Sequence, residues 1–176
     1  MKMELQIGDI IGYKPKATDS FVSFLIKIGG KQRYSHILIY IGDGKVIEAG
    51  PKGVKVSPNW VTHKPNDYWK VMRLKEELTP EQMERIISTA YGYEGTGYDF
   101  WHYPFLGIYS WFSRLGWAKK LLKLIKKIDD TKFMNCSEFV SRVYFDGIEI
   151  DLGDEESHDF TLPDDIMNSE LLGEVN

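Results

Sequence analysis

Only one of the 176 residues carries a thiol: Cys136, in the run Phe133-Met-Asn-Cys-Ser-Glu-Phe-Val140. A lone cysteine forms no internal disulfide, so its sulfur is core filler, a metal ligand or a nucleophile. Asn135 is a strong helix N-cap, and Glu138 stands at the capping-box position three residues on. Cys136 is therefore expected in a first helical turn, facing free backbone N–H groups and the positive end of the helix dipole. Both favour the thiolate, the form that attacks a carbonyl. Phe139, Val140, Val143 and Tyr144 would anchor that helix in a core.

A nucleophilic thiol needs a base. Along Ser35-His-Ile-Leu-Ile-Tyr-Ile41, strand alternation puts Ile37, Ile39 and Ile41 on one face and His36, Leu38 and Tyr40 on the other. Gly42-Asp43-Gly44 then reads as a hairpin loop into Lys45–Ala49. A three-residue loop with Gly44 left-handed sets Leu38 opposite Glu48 and His36 opposite Gly50, making Glu48 the diagonal neighbour of His36. A two-residue loop would flip Glu48 onto the isoleucine face, where an unpaired carboxylate is costly. The register that joins His36 to Glu48 is the expected one. A histidine oriented by a carboxylate and near a thiol has the form of a Cys-His-acid triad.

These groups need a scaffold. Gln6–Tyr13 reads as a short strand broken by glycines, and Ser20–Ile28 has helical spacing stopped by Gly29-Gly30. Tyr34–Ile41, Lys45–Ala49, Gly53–Pro58 and Tyr68–Leu74 read as strands. Thr79 caps a helix with Pro80 at its first position, running to about Tyr91; Asn135–Tyr144 is another, and Leu162-Pro-Asp-Asp-Ile opens a short last one. Early strands flanked by helices make an α+β fold with a mainly antiparallel sheet packed against helices. No internal repeat or linker interrupts residues 1–176, so one domain is expected.

The net charge of -4 hides an asymmetry. Arg114–Lys127 holds six basic residues and no acid, whereas Val143–Asn176 holds eleven acids and no Lys or Arg. Such blocks argue against nucleic-acid binding, which wants one broad basic face. His63, His102 and His158 are scattered without a metal-ligand pattern, and Gly29-Gly30-Lys31 lacks phosphate-loop spacing. Neither a metal nor an organic cofactor is expected. The start of the chain has no apolar run of signal-peptide length, and the longest uncharged stretch, Phe100–Ser113, is too short to span a bilayer. A cytoplasmic location is expected.

At this point the sequence resembles a known family. His36-Ile-Leu-Ile-Tyr-Ile-Gly-Asp-Gly-Lys-Val-Ile-Glu48-Ala is similar to the histidine hairpin of NlpC-type papain-like cysteine peptidases. The cysteine helix follows that hairpin here, which is the order of the circularly permuted branch, containing YiiX-like and lecithin-retinol-acyltransferase-like proteins. Ile7-Gly-Asp, Asn135-Cys-Ser-Glu-Phe-Val and Leu162-Pro-Asp-Asp-Ile resemble the YiiX-like subgroup. The resemblance implies a permuted papain-like fold with a divergent insert at about 100–132. It implies Cys136 as nucleophile, His36 as general base and acid, and Glu48 as orienting carboxylate. Gly95-Thr-Gly-Tyr98 resembles the superfamily's glycine-tyrosine segment, so Tyr98 becomes an oxyanion or pocket residue, or else an ordinary core tyrosine. Arg33, Tyr34 and Ser35, beside His36, form either a substrate rim or a solvated approach to the strand.

The implied activity is a cysteine hydrolase cleaving a peptide, amide or ester through a thioester. The alternatives are acyltransferase or phospholipase-type chemistry on lipids by the same triad, and a catalytically retired binding module. The aromatic run from Phe100, followed by Leu115, Ala118, Leu122, Ile125 and Ile128 among lysines, is the pattern of an interfacial membrane helix or of a lid over the site. Membrane-peripheral contact through 100–128, with an acyl-lipid substrate, follows from the first reading. The sequence does not address oligomeric state.

Overall fold

A computed structural model of the chain describes residues 4–14, 33–58, 69–98, 133–153 and 161–175. In chain order the elements are β1 (Ile10–Tyr13), β2 (His36–Gly42), β3 (Lys45–Gly50), β4 (Gly53–Ser57), β5 (Trp69–Leu74), α1 (Pro80–Gly92), β6 (Gly97–Tyr98), β7 (Phe133–Met134), α2 (Cys136–Ile148), α3 (Pro163–Met167) and β8 (Leu172–Val175). Six strands form one sheet in the order β4-β3-β2-β1-β5-β8, and every neighbouring pair is antiparallel. β6 and β7 form a separate parallel pair. The α+β class and the antiparallel sheet are as expected, while β6, β7 and β8 were not foreseen.

The isoleucine face is the main core. Ile37, Ile39 and Ile47 are fully buried with Phe139, Val140, Val143 and Tyr144 of α2, which packs on β2 and β3 and against α1. The opposite face is also covered: Leu38 and Val46 join Ile11, Trp69 and Val71 in a second buried cluster. Thr79 caps α1 through a full capping box with Gln82, and Pro80 opens it, where its missing N–H costs nothing.

The β2–β3 turn differs from expectation in an instructive way. Gly42 pairs with Lys45 across a two-residue turn, Asp43-Gly44, with φ of 53° and 71° at its centre. Such positive φ at both positions suits the right-handed twist of a hairpin. Tyr40 nonetheless pairs with Val46 and Ile39 with Ile47, because the register shifts between Tyr40 and Gly42. One extra residue bulges out of β2 and restores the pairing that a tight turn alone would have lost. Gly44 N–H donates to the Tyr40 hydroxyl at 3.1 Å and closes the turn. The expected register is thus reached by a tight turn plus a bulge, not by a three-residue loop.

The expected helix at Ser20–Ile28, the insert at about 100–132 with its membrane contact, and His63, His102 and His158 lie outside the described residues. Among the described residues, no helix is long and apolar enough to cross a membrane.

Candidate active site

His36 opens β2 and Glu48 lies on β3, twelve residues later. The strand register and its bulge bring them together, with His36 Nε2 2.7 Å from Glu48 Oε2. The His36 ring also hydrogen-bonds the Cys136 thiol. With Nε2 engaged by the carboxylate, Nδ1 is the ring nitrogen left for the sulfur. Imidazole therefore bridges thiol and carboxylate.

The electrostatics follow from that bridge. Burial works against a charged imidazolium, but the bonds to Cys136 and Glu48 outweigh it and raise His36 to about 10. Burial likewise disfavours the Glu48 carboxylate, yet the His36 bond, the Ser57 hydroxyl and the Lys55 charge hold it at about 2. Favouring the charged form on both members fits an ion pair. The side chains of His36 and Glu48 keep 24% and 13% of their surface accessible, whereas Cys136 is fully buried. Any acyl group reaching the sulfur must enter a covered site.

Cys136 is held by its helix mouth. Asn135 is the N-cap, with extended backbone, and its Oδ1 accepts from Ser137 N, Glu138 N and Ser137 Oγ at 2.9–3.0 Å. Two backbone donors on one amide oxygen fix which way the side chain faces. Its Nδ2, also buried, has no hydrogen-bond partner among the described residues. Cys136 is the first residue of α2, at the positive end of the helix dipole as expected. α2 runs to Ile148, four residues beyond the expected end at Tyr144, and Glu138 pairs with Arg142 at 3.0 Å.

The remaining residues singled out in the sequence occupy supporting places. Tyr34, 5% exposed, packs into the core cluster that includes Cys136, and burial raises its hydroxyl above the usual tyrosine value. Ser35 is buried, and its N–H donates to Tyr13 O at 3.1 Å. The N–H groups of Arg33 and Tyr34 both donate to the Asp164 carboxylate at 2.9–3.0 Å. The Leu162-Pro-Asp-Asp run thereby grips the segment that leads into His36. Tyr98 lies on β6 with Met134, two residues before Cys136, as its pairing partner on β7. Gly53, with φ of +85°, lets β4 approach this region: a Cβ there would sit 2.4 Å from Thr96 O.

At the other end of the sheet, Asp9 is fully buried and accepts from Arg73 Nε at 2.6 Å, Arg73 Nη2 at 2.8 Å and Gln6 N at 2.8 Å. The neighbouring Gly8 carbonyl accepts from the Tyr144 hydroxyl of α2. The Ile7-Gly-Asp run is thus tied both to β5 and to the helix that carries the thiol.

Ser57 was missed in the sequence. Its hydroxyl donates to Glu48 Oε1 at 2.6 Å. Alternation along Gly53–Ser57 sets Lys55 and Ser57 on one face, but only the β3–β4 register, Glu48 opposite Lys55 and Val46 opposite Ser57, shows that this face is the one Glu48 occupies.

No curated protein matches the chain. Among solved structures, the chain is similar to one titled "Crystal structure of metalloprotein yiiX from Escherichia coli O157:H7, DUF1105". The two share 21% identity with a TM-score of 0.67, over 97% of this chain and 96% of that one, a likeness of fold. The word metalloprotein belongs to that molecule; among the described residues here, no group of three or more His, Cys, Asp or Glu is placed to hold a metal ion. A family model described as "Permuted papain-like amidase enzyme, YaeF/YiiX, C92 family" matches residues 4–131, well over half of the chain, including His36 and Glu48 and ending just short of Cys136. With the strand histidine ahead of the cysteine helix in chain order, the chain belongs to the YaeF/YiiX, or C92, family of permuted papain-like amidases.

Proposed function

We propose that this protein is a cysteine hydrolase that cleaves an amide or ester through Cys136, His36 and Glu48. The observation that carries the reading is the His36 ring hydrogen-bonded to the Cys136 thiol and, through Nε2, to the Glu48 carboxylate. Family membership favours an amide as the bond cleaved.

The chemistry runs in two halves. The Cys136 thiolate attacks the substrate carbonyl carbon and a C–S bond forms, while charge moves onto the carbonyl oxygen. The backbone N–H of Cys136, at the helix mouth, is the donor for that oxyanion. His36 gives its proton to the leaving nitrogen or oxygen as the C–N or C–O bond breaks, leaving a thioester. His36 then takes a proton from water, hydroxide adds to the thioester, and the C–S bond breaks to release the acid. The thiolate and imidazolium return. Glu48 keeps the ring oriented throughout and stabilises the imidazolium whenever the ring holds the proton.

Trapping tests it directly. Incubation with a panel of amide and ester acyl probes should leave an acyl mass on Cys136, absent in Cys136→Ala, with turnover lost in Cys136→Ala and His36→Ala. Undiminished hydrolysis by either folded variant refutes the assignment.

A further inference from the structure

Glu48 spends only one carboxylate oxygen on His36. The other, Oε1, accepts from Ser57 Oγ at 2.6 Å and faces Lys55 Nζ at 3.9 Å. We infer that Ser57 is a positioning residue of this site, acting through Glu48 to hold the His36 ring in line with Cys136. The inference rests on the mechanism proposed above and adds a fourth side chain to it.

A glutamate gripped by one partner is free to turn its terminal carboxylate about χ3. A second partner on the opposite oxygen fixes the carboxylate plane, and with it the direction in which Oε2 meets the imidazole. The 2.6 Å contact lies in the range of a charge-assisted O–H···O⁻ bond, the stronger class. Glu48 keeps little accessible surface, so water is poorly placed to replace the hydroxyl if it is lost. Lys55 supplies charge but little orientation, because it stands farther away and its side chain is 46% accessible. The Ser57 hydroxyl is not needed to join its strand to the sheet either: β3 and β4 pair through their backbones from Val46–Ser57 to Gly50–Gly53. The hydroxyl's contact with Glu48 therefore asks for a role at the site.

Four proteins test this: Ser57→Ala, Ser57→Thr, Glu48→Gln, and Ser57→Ala combined with Glu48→Gln. Two readouts are taken on each folded protein: the pH dependence of Cys136 alkylation by iodoacetamide and, where Glu48 is retained, the carbon-13 titration of its carboxyl. The single thiol makes the labelling unambiguous by mass. Ser57→Ala should alkylate about 3- to 10-fold more slowly near pH 6, and the Glu48 midpoint should move up from about 2. Ser57→Thr, which keeps the hydroxyl, should restore both. In the Glu48→Gln background the Ser57→Ala change should leave the labelling rate unaltered, since its route of action is gone. A merely structural serine would lower thermal stability alike in both backgrounds and move neither readout. Wild-type labelling and an unchanged Glu48 midpoint in Ser57→Ala overturn the role of Ser57 alone. A Cys136 that stays inert in the wild type overturns the mechanism, and this extension with it.

Discussion

His36 Nε2 and Glu48 Oε2 stand 2.7 Å apart across a hairpin whose turn, by itself, would have put them on opposite faces of the sheet. The bulge between Tyr40 and Gly42 makes the contact possible. Removing the bulge is therefore a test of the site. Deleting Ile41 takes out the extra residue and leaves Gly42 opposite Lys45 and Tyr40 opposite Val46, a regular hairpin in the same register. The deletion should cost the packing of the Ile41 side chain but keep Ile37 and Ile39 on the core face and His36 coupled to Glu48. Chemical-shift mapping of His36 and a urea melt would check it, and a folded deletion variant with His36 uncoupled from Glu48 would contradict the account.

The acid–base pair should write itself into the stability curve. His36 is raised to about 10 from 6.5, so its share of stability is complete below pH 6.5 and lost as pH rises through about 10. Glu48 is lowered to about 2 from 4.5, so its share is complete above pH 4.5 and lost as pH falls through about 2. The two windows overlap between about pH 4.5 and 6.5. Urea unfolding should show the largest stability gap between wild type and Glu48→Gln there, with the gap closing as pH approaches 10. A gap that is flat from pH 5 to 10 would show that the imidazolium is not held by this partner.

Thiol reactivity follows the same charges. His36→Ala removes the cation that favours the Cys136 thiolate, so iodoacetamide labelling near pH 6 should slow markedly while the alkaline rate changes little. Hydrolysis of any amide substrate should fall by about 100-fold to 10,000-fold, the scale of losing a positioned acid–base group. Equal labelling of the two proteins at pH 6 would mean that the ring does not activate the sulfur.

Much of this arrangement was legible in the sequence because it is local. Asn135 ahead of Cys136, Thr79-Pro80 ahead of α1 and the isoleucine alternation in β2 each specify their own element within a few residues. The His36–Glu48 contact was legible through burial: only one register keeps the carboxylate off the isoleucine face. The route to that register was not, since a bulge depends on how β2 is stitched to both β1 and β3. β8 escaped notice because Leu-Gly-Glu-Val has too few residues to show a period, and its partner β5 lies about a hundred residues earlier. Ser57 escaped because its contact to Glu48 depends on the β3–β4 register, and Asp164 because its contact to the Arg33–Tyr34 backbone is set by tertiary placement.

The cap that holds the thiol is separable from the thiol. Asn135→Ala removes an acceptor serving two backbone N–H groups and should cost about 1 kcal/mol of stability, with Asn135→Ser recovering most of it. The buried Nδ2 has no partner among the described residues, so losing that group incurs no broken bond of its own. Thermal melts of the three proteins would check this, and an Asn135→Ser loss as large as that of Asn135→Ala would show that the amide does more than cap.

The most damaging single change away from the site should be Arg73→Met. Asp9 is fully buried, and two of its three hydrogen bonds come from this guanidinium. Removing Arg73 strands a carboxylate where water does not reach, a loss of about 3–5 kcal/mol for pairs of this kind. Because the next residue back, Gly8, receives the Tyr144 hydroxyl of α2, a shifted Asp9 turn would also disturb the Cys136 helix. The damage should be largely repaired in Asp9→Asn/Arg73→Met, where the amide oxygen still accepts from Gln6 N and no charge is left buried. Urea melts of the single and double variants measure both effects. A double variant no more stable than Arg73→Met would mean that the guanidinium's packing and its 3.0 Å bond to Glu4 O, and not the stranded charge, set the loss.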